Sequence, residues 1–354
     1  MTAAVERRDL APGYSMSRLI KGGWQLAGGH GVVDRATAIT DMRRFVDAGI
    51  TTFDCADIYT GVEDLIGAFL RELRRHRGCE SARHVQVHTK YVPDLEALPT
   101  LTPADVEHGI DRSLARLGVE RLDLVQFHWW DYEVPGFVEA ALTLDRLRQA
   151  GKIRLIGVTN FDTLRLRALV EAGVPVASIQ LQYSLLDRRP AQAMAEFCAA
   201  HGIQMLCYGT LAGGFLSASW LDVGEPAEPL ENRSLTKYKL IIDECGGWQR
   251  FQRLLATLAR VGEAHDVGPG TVAVRWVLDQ PCVAAAIVGA RHGHHLQDTL
   301  AVNDLVLNRD EHAALDAVMA DAPGPAGEPY ALERAKDGRH ARIMKYNLNT
   351  RAGH

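Results

Sequence analysis

Four residues of this chain could together move a proton to or from a carbonyl oxygen: Asp54, Tyr59, Lys90 and His128. A free tyrosine, with a pKa of about 10, is too weak an acid near neutrality. A lysine cation beside it favours the phenolate and lowers that value. An aspartate next to the lysine keeps the ammonium charged and in place. A histidine donor would orient the substrate oxygen and stabilise developing negative charge. In that arrangement Tyr59 is the general acid for reduction and the general base for oxidation. The competing reading is a structural Asp–Lys pair with an incidental histidine. Their spacing along the chain, three of them at the ends of different strands, favours the chemistry.

The elements that must position these groups alternate. Short β-rich runs (18–24, 51–55, 84–92, 122–130, 153–160, 177–184, 202–209 and 283–290) are each followed by helical material. The helix beginning near Pro103 is well punctuated: Thr102 can cap it, Asp105 suits its positive end and Gly118 can end it. Val106, Ile110, Leu114 and Leu117 give it one apolar face. Eight alternating strands and helices predict a parallel α/β sheet closed as a (β/α)8 TIM barrel. The reading is one barrel domain over residues 1–354, with an irregular insertion at about 212–247 and a C-terminal helix and polar tail. No GxGxxG follows any strand, which argues against a Rossmann fold. In such a barrel the strand C-termini carry the chemistry. Here they read Trp24, Asp54 with Tyr59 beyond, Lys90, His128, Thr159–Asn160, Gln180 to Tyr183, Tyr208 and Gly289–Arg291.

Composition agrees with a soluble globular protein. Of 354 residues, 47% are hydrophobic and 23% charged, and the formal net charge is −5. A nucleic-acid binder usually shows a basic excess instead. The longest obvious apolar run, 282–290, is far short of the roughly 20 residues of a membrane span. Six cysteines without paired spacing argue against a disulfide framework or structural zinc and fit a reducing cytoplasm. Fourteen histidines, with His292, His294 and His295 close together, raise the question of a metal, but no metal is expected.

The run 53–70, FDCADIYTGVEDLIGAFL, resembles the aldo-keto reductase motif in which D-T-A-x-x-Y precedes an S-E-x-x-L-G helix. Asp54, Ala56, Tyr59, Glu63 and Gly67 match, while Cys55 replaces the usual Thr. Lys90 in HTK and His128 in DLVQFHWWD resemble the family's catalytic lysine and histidine. GVTNF (157–161), QLQYSLLDRRP (180–190) and YGTLAGGFL (208–216) are similar to further family blocks, over roughly 18–320 in all. The resemblance implies an oxidoreductase that reduces aldehydes or ketones, or oxidises alcohols or lactols, by hydride transfer from a nicotinamide dinucleotide.

Carried over by position, Thr159, Asn160 and Gln180 would hold the carboxamide, and Tyr208 would stack on the nicotinamide. Gly209, Thr210, Leu211 and Gly213 would run along the pyrophosphate, with the insertion as a lid. The adenosine end departs from the family pattern. Gly289 and Ala290 replace Lys and Ser, Arg291 is present, and His295 stands at the usual Arg position. Asp298 and Thr299 stand where Glu and Asn often reach the adenine. One certain cation plus a histidine favours NADP(H), with NAD(H) the alternative.

Trp24, Trp129, Trp130 and Tyr132 are expected to wall the substrate pocket, with one tryptophan or more packed under the loops. His88 is expected as a core histidine, Gln126 and Gln182 as supports beneath the site, and Cys55 and Cys207 as buried inert thiols facing the helices. Two other function classes compete with this reading. One is a non-catalytic nucleotide-binding module on the same scaffold, like potassium-channel β subunits. The other is a barrel metal hydrolase, which needs an HxH on the first strand where this chain reads IKGGW. The partner expected is a small carbonyl or alcohol compound, and neither nucleic acid nor membrane.

Overall fold

The computed structural model describes residues 5–28, 31, 33–289 and 293–349. The chain opens with a hairpin, β1 (Arg7–Ala11) and β2 (Tyr14–Ser17). The barrel then runs β3 (Leu19–Gly22), α1 (Arg35–Asp47), β4 (Thr52–Asp54), α2 (Val62–Arg83), β5 (Gln86–Tyr91), α3 (Pro103–Leu117), β6 (Leu122–Phe127) and α4 (Phe137–Gln149). It continues with β7 (Ile153–Thr159), α5 (Thr163–Glu171), β8 (Val176–Gln182), α6 (Ala193–His201) and β9 (Gln204–Tyr208). After β9 come α7 (Arg233–Glu244), α8 (Gly247–Ala264), α9 (Pro269–Leu278), β10 (Val283–Gly289), α10 (Leu296–Asp304) and α11 (Arg309–Met319). Two short helices, α12 (Ala331–Arg334) and α13 (Arg339–Arg342), lie in the tail. The eight strands β10-β3-β4-β5-β6-β7-β8-β9 close into a parallel barrel. This is the (β/α)8 barrel the alternation predicts. Among the described residues no helix is long and apolar enough to cross a membrane.

The punctuation of α3 works as its residues dictate. Thr102 and Asp105 form a reciprocal capping box, Pro103 opens the helix, and Gly118 ends it at φ 65°. Packing between helices is close where side chains are small. A Cβ on Gly67 of α2 would lie 2.2 Å from the Arg116 carbonyl oxygen of α3.

Three parts differ from the sequence reading. First, the N-terminal hairpin is a plug that the sequence reading left out. Leu10, Tyr14 and Met16 enter the barrel's lower end and pack with Ile20, Leu124, Leu206 and Ile287. Second, the insertion is not irregular throughout, since it contains the three-turn helix α7, capped by Asn232. Its earlier part is held by Phe215 and Trp220, which pack on Trp248 of α8. Third, the polar tail folds back over the barrel mouth and buries Tyr330, Glu333 and His340.

Candidate active site

Alternation along each strand decides what enters the barrel. Asp54 lies beside His88 in the β4–β5 register, and Lys90 beside Gln126 in the β5–β6 register. The Lys90 ammonium donates to Asp54 Oδ2 at 2.7 Å and to the Cys55 carbonyl at 2.9 Å. Asp54 Oδ1 accepts from Gln180 Nε2 at 2.6 Å and from Gln126 Nε2 at 3.2 Å. The ion pair is almost wholly buried, yet every charge has several partners, the condition under which such a pair survives in a core. Burial works against the Lys90 ammonium, but Asp54 and then Tyr59 outweigh it and raise its pKa.

Tyr59 stands in the loop between β4 and α2. Glu63 ties that loop to the barrel by accepting from the Thr89 hydroxyl and from Arg116. The Lys90 ammonium is 5.0 Å from the centre of the Tyr59 ring, and Trp24 packs edge-on against the ring at 5.2 Å. Here the sequence expectation needs correcting. Lys90 does pull the phenol's pKa down, but burial is the larger influence and the net shift is upward. The resting group is therefore a phenol that keeps its proton through neutral pH.

His128 follows β6 and faces inward. Its Nδ1 lies 3.0 Å from the Thr159 carbonyl oxygen, while its Nε2 is buried with no hydrogen-bond partner among the described residues. Burial, then the Arg334 guanidinium, push its pKa down to about 3. One layer below, His88 bonds to the Tyr14 hydroxyl of the hairpin at 3.0 Å, and burial holds it at about 3 too. His88 is thus the core histidine expected. Because the unfolded chain takes up these protons near pH 6.5 and the folded chain near pH 3, stability falls as pH drops through that window. Each histidine should cost about 2 kcal/mol between pH 7 and pH 5. Thermal melts of His88→Leu should therefore decline less steeply over that interval than those of the unaltered protein. Parallel declines would refute this account.

The positions at the ends of β7, β8 and β9 converge. Thr159 and Gln180 are buried neighbours in register, and Asn160 turns the chain at φ 61°. The Tyr208 hydroxyl donates to Asn160 Oδ1 at 2.8 Å. Beyond β9, Gly209 and Gly213 take φ of 73° and 67°, and a Cβ on either would collide with Tyr238 of α7. Thr210 is buried and Leu211 half-buried in that turn. Gly289 closes on Gln25, whose amide would meet its Cβ at 2.2 Å. Ala290, Arg291 and His292 lie outside the described residues. His295 and Asp298 face one another at 3.5 Å with exposed side chains, and the Thr299 hydroxyl donates to the His295 carbonyl.

The aromatic wall is reduced to two of its expected members. Trp24 and Trp130 border the site. Trp130 donates to the Pro93 carbonyl and packs edge-on at 4.3 Å against His128. Trp129 does not line the mouth. Strand alternation turns it outward from His128, fully buried between β6 and α4, where it donates to the Asp131 and Val134 carbonyls. Tyr132 is covered by the Arg165 and Arg334 guanidiniums at 4.7 and 4.1 Å. Gln126 supports Asp54 as expected, but Gln182 is held by Asp187 instead. Cys55 and Cys207 are buried, and burial pushes both thiols up.

Several residues at the mouth escaped the sequence reading. From α7, Arg233 lies 5.6 Å over Trp24 and Lys237 lies 5.1 Å from the Tyr208 ring. From the tail, Tyr330 packs edge-on against His128 at 5.5 Å. Arg334 donates to the carbonyls of Asn160 and Trp129. The Glu333 carboxylate is buried 3.6 Å from Arg189 and 3.5 Å from Lys237. A signal for α7 existed: 232–244 holds no Gly or Pro, starts with a capping Asn and repeats apolar residues at helical spacing.

Residues 18–320 match the model of the aldo/keto reductase family. Flagellar radial spoke protein 5 of Chlamydomonas reinhardtii is 31% identical over 69% of this chain, a match spanning 56% of that protein. Aldo-keto reductase YhdN of Bacillus subtilis is 28% identical over 88% of this chain and 94% of its own. Among solved structures, the glycerol dehydrogenase AKR11B4 from Gluconobacter oxydans superposes with a TM-score of 0.74 at 26% identity, covering 91% of this chain and 97% of its own. With a parallel eight-stranded barrel carrying a Tyr, Lys, Asp and His at its mouth, this chain belongs to the aldo/keto reductase family, oxidoreductases that use a nicotinamide cofactor on carbonyl and alcohol groups.

Proposed function

We propose that this protein reduces aldehydes or ketones, or oxidises the corresponding alcohols or lactols, with Tyr59 as the proton donor and NADP(H) preferred to NAD(H). The observation that carries the reading is the buried Lys90–Asp54 pair set against Tyr59. A barrel interior gains nothing from an ion pair that packed apolar residues could replace. Its placement beside a phenol gives it a use, since it steadies the negative charge left when the phenol gives up its proton.

The residues fit a nicotinamide. Tyr208 occupies Asn160 Oδ1, which leaves the Asn160 amide N–H groups for an acceptor. Gln180 spends its N–H groups on Asp54 and Gln126, which leaves Oε1 for a donor. A carboxamide needs one of each. Tyr208 would face the ring. The glycine turn at 209–213, where a Cβ would collide with Tyr238, lets backbone approach a pyrophosphate. When bound, the cofactor supplies or accepts the hydride. Tyr59 donates its proton to the carbonyl oxygen during reduction. Lys90 holds the resulting phenolate, and Asp54 holds Lys90. Trp24, Trp130 and the tail exclude water.

The preference for NADP(H) rests on Arg291 and His295 in the stretch after β10. A panel of carbonyls and alcohols, followed through absorbance of the reduced nicotinamide with each cofactor, tests the reading. Lack of turnover on every compound would sink it. In the same assay Arg291→Ala should raise KM for NADPH at least about tenfold more than for NADH, the loss of a charge-assisted contact to the 2′-phosphate. Equal losses for both would remove that contact.

A further inference from the structure

We propose that a second ligand site lies at the lower end of the barrel, opposite the mouth, and that it takes an organic anion with an apolar body and a terminal carboxylate. Such a site stands whether or not Tyr59 and Lys90 reduce a carbonyl.

Its wall follows from the way the chain returns from helix to strand. α2 is broken at Gly78, which takes φ 81° and ψ 168°, and the turn beyond it brings Ala82 to the side of a cavity. Leu70 of α2, Leu117 of α3, Val87 of β5 and Leu122 of β6 complete an apolar wall, all of them buried. Val119 is half-buried and Arg121 exposed, so the cavity meets solvent on their side. It measures about 360 Å³, within the range of small-molecule sites. Protein interiors leave few voids larger than a water molecule, so an apolar space of this size is unusual in a packed domain.

Three guanidiniums edge this space, those of Arg74, Arg121 and Arg154. Arg74 donates one terminal nitrogen to the Gly118 carbonyl at 3.0 Å. Arg154 gives one to the Gly13 carbonyl at 2.6 Å and lies 4.8 Å over the Tyr14 ring. The other terminal nitrogen of each has no partner among the described residues, and Arg121 makes neither ion pair nor hydrogen bond among them. One carboxylate shares the cavity. Asp123 accepts from the Val87 N–H at 3.0 Å and forms no ion pair among the described residues. Three cations against one carboxylate leave the space positive, in a chain whose net charge is −5.

This end of a barrel ordinarily serves stability. Capping of the α3 C-terminus accounts for Arg74. It accounts neither for Arg121 and Arg154 nor for the apolar space they edge. A guanidinium fork matches a carboxylate with two parallel hydrogen bonds. The Leu and Val wall suits an alkyl or aryl body. An inorganic anion lacks that body, and a neutral analogue lacks the charge.

Calorimetric titration of the full-length protein should compare octanoate, acetate and octanamide. Octanoate should bind. Acetate should bind at least about a hundredfold more weakly, because it leaves the apolar wall uncovered. Octanamide should bind at least about tenfold more weakly, because it brings no charge to the arginines. Arg121→Ala, an exposed change, should weaken octanoate about tenfold. Val119→Trp, which fills the cavity, should weaken it at least as much. Tyr59→Phe, at the opposite end of the barrel, should leave octanoate affinity unaltered. Independently, an octanoate bearing an alkyl diazirine, photolysed on the unaltered protein, should label peptides within 70–87 or 117–123. No octanoate binding, octanamide binding as tight as octanoate, affinity unmoved by both Arg121→Ala and Val119→Trp, or labelling confined to the mouth would each overturn the proposal.

Discussion

Tyr59→Phe is expected to lower kcat for carbonyl reduction by about a thousandfold, within the usual range for loss of a general acid. Nucleotide affinity should stay within a few-fold. The change removes one oxygen and keeps the ring, so the edge contact with Trp24 and the Lys90 ammonium over the ring can both persist. The candidate nucleotide contacts at Asn160, Gln180 and Tyr208 come from β7, β8 and β9, away from the β4–α2 loop. Kinetics and affinity should therefore separate. Near-normal turnover in the variant would end the assignment of Tyr59. The pH dependence has a definite sign as well. Burial keeps the phenol protonated beyond the usual tyrosine range. Reduction by the unaltered protein should then hold steady through neutral pH and fall only on the alkaline side.

Breaking the ion pair is the second large effect. Asp54→Leu alone leaves the Lys90 ammonium buried without its carboxylate, a loss of about 3–5 kcal/mol. The Asp54 carboxylate also receives Gln126 and Gln180, so three donors lose their acceptor at once. Adding Lys90→Met removes the stranded charge. Gln126 and Gln180 can keep their own bond, 2.8 Å long in the present arrangement. The double variant should regain about 2 kcal/mol over Asp54→Leu, as contacting residues couple by amounts of that order. It should remain without turnover. Denaturant melts of the four proteins in the cycle measure this. A double variant no more stable than Asp54→Leu would mean that the pair is not the unit described.

Most of the barrel was legible because each strand is a short apolar run bounded by helix caps and turns. The four residues at the mouth were legible because their chemistry is out of place in a barrel core. What stayed hidden had physical reasons. The hairpin plug is made of Leu10, Tyr14 and Met16, too short a segment to announce itself. Trp129 follows His128 directly, so the alternation that points His128 inward turns Trp129 outward, and it is the tryptophan that packs beneath the loops. Tyr59's direction of shift needed a burial that only the packed mouth provides. The tail looked like a polar trailer because Glu333 and Arg334 are charged, and their partners Arg189, Lys237, Asn160 and Trp129 are distant in the chain. No spacing rule connects them.

The folded-back tail implies a division of labour along the gene. The groups proposed to handle protons lie before residue 130, while a large share of what surrounds His128 and Tyr208 from above is written after residue 328. Glu328 is bound by Thr163, Arg334 by Asn160 and Trp129, and Asn349 reaches Val92. An exchanged 328–349 stretch would therefore alter what surrounds the mouth while leaving the reactive groups standing. Diversification of what this barrel acts on can proceed by editing the single contiguous stretch 328–349.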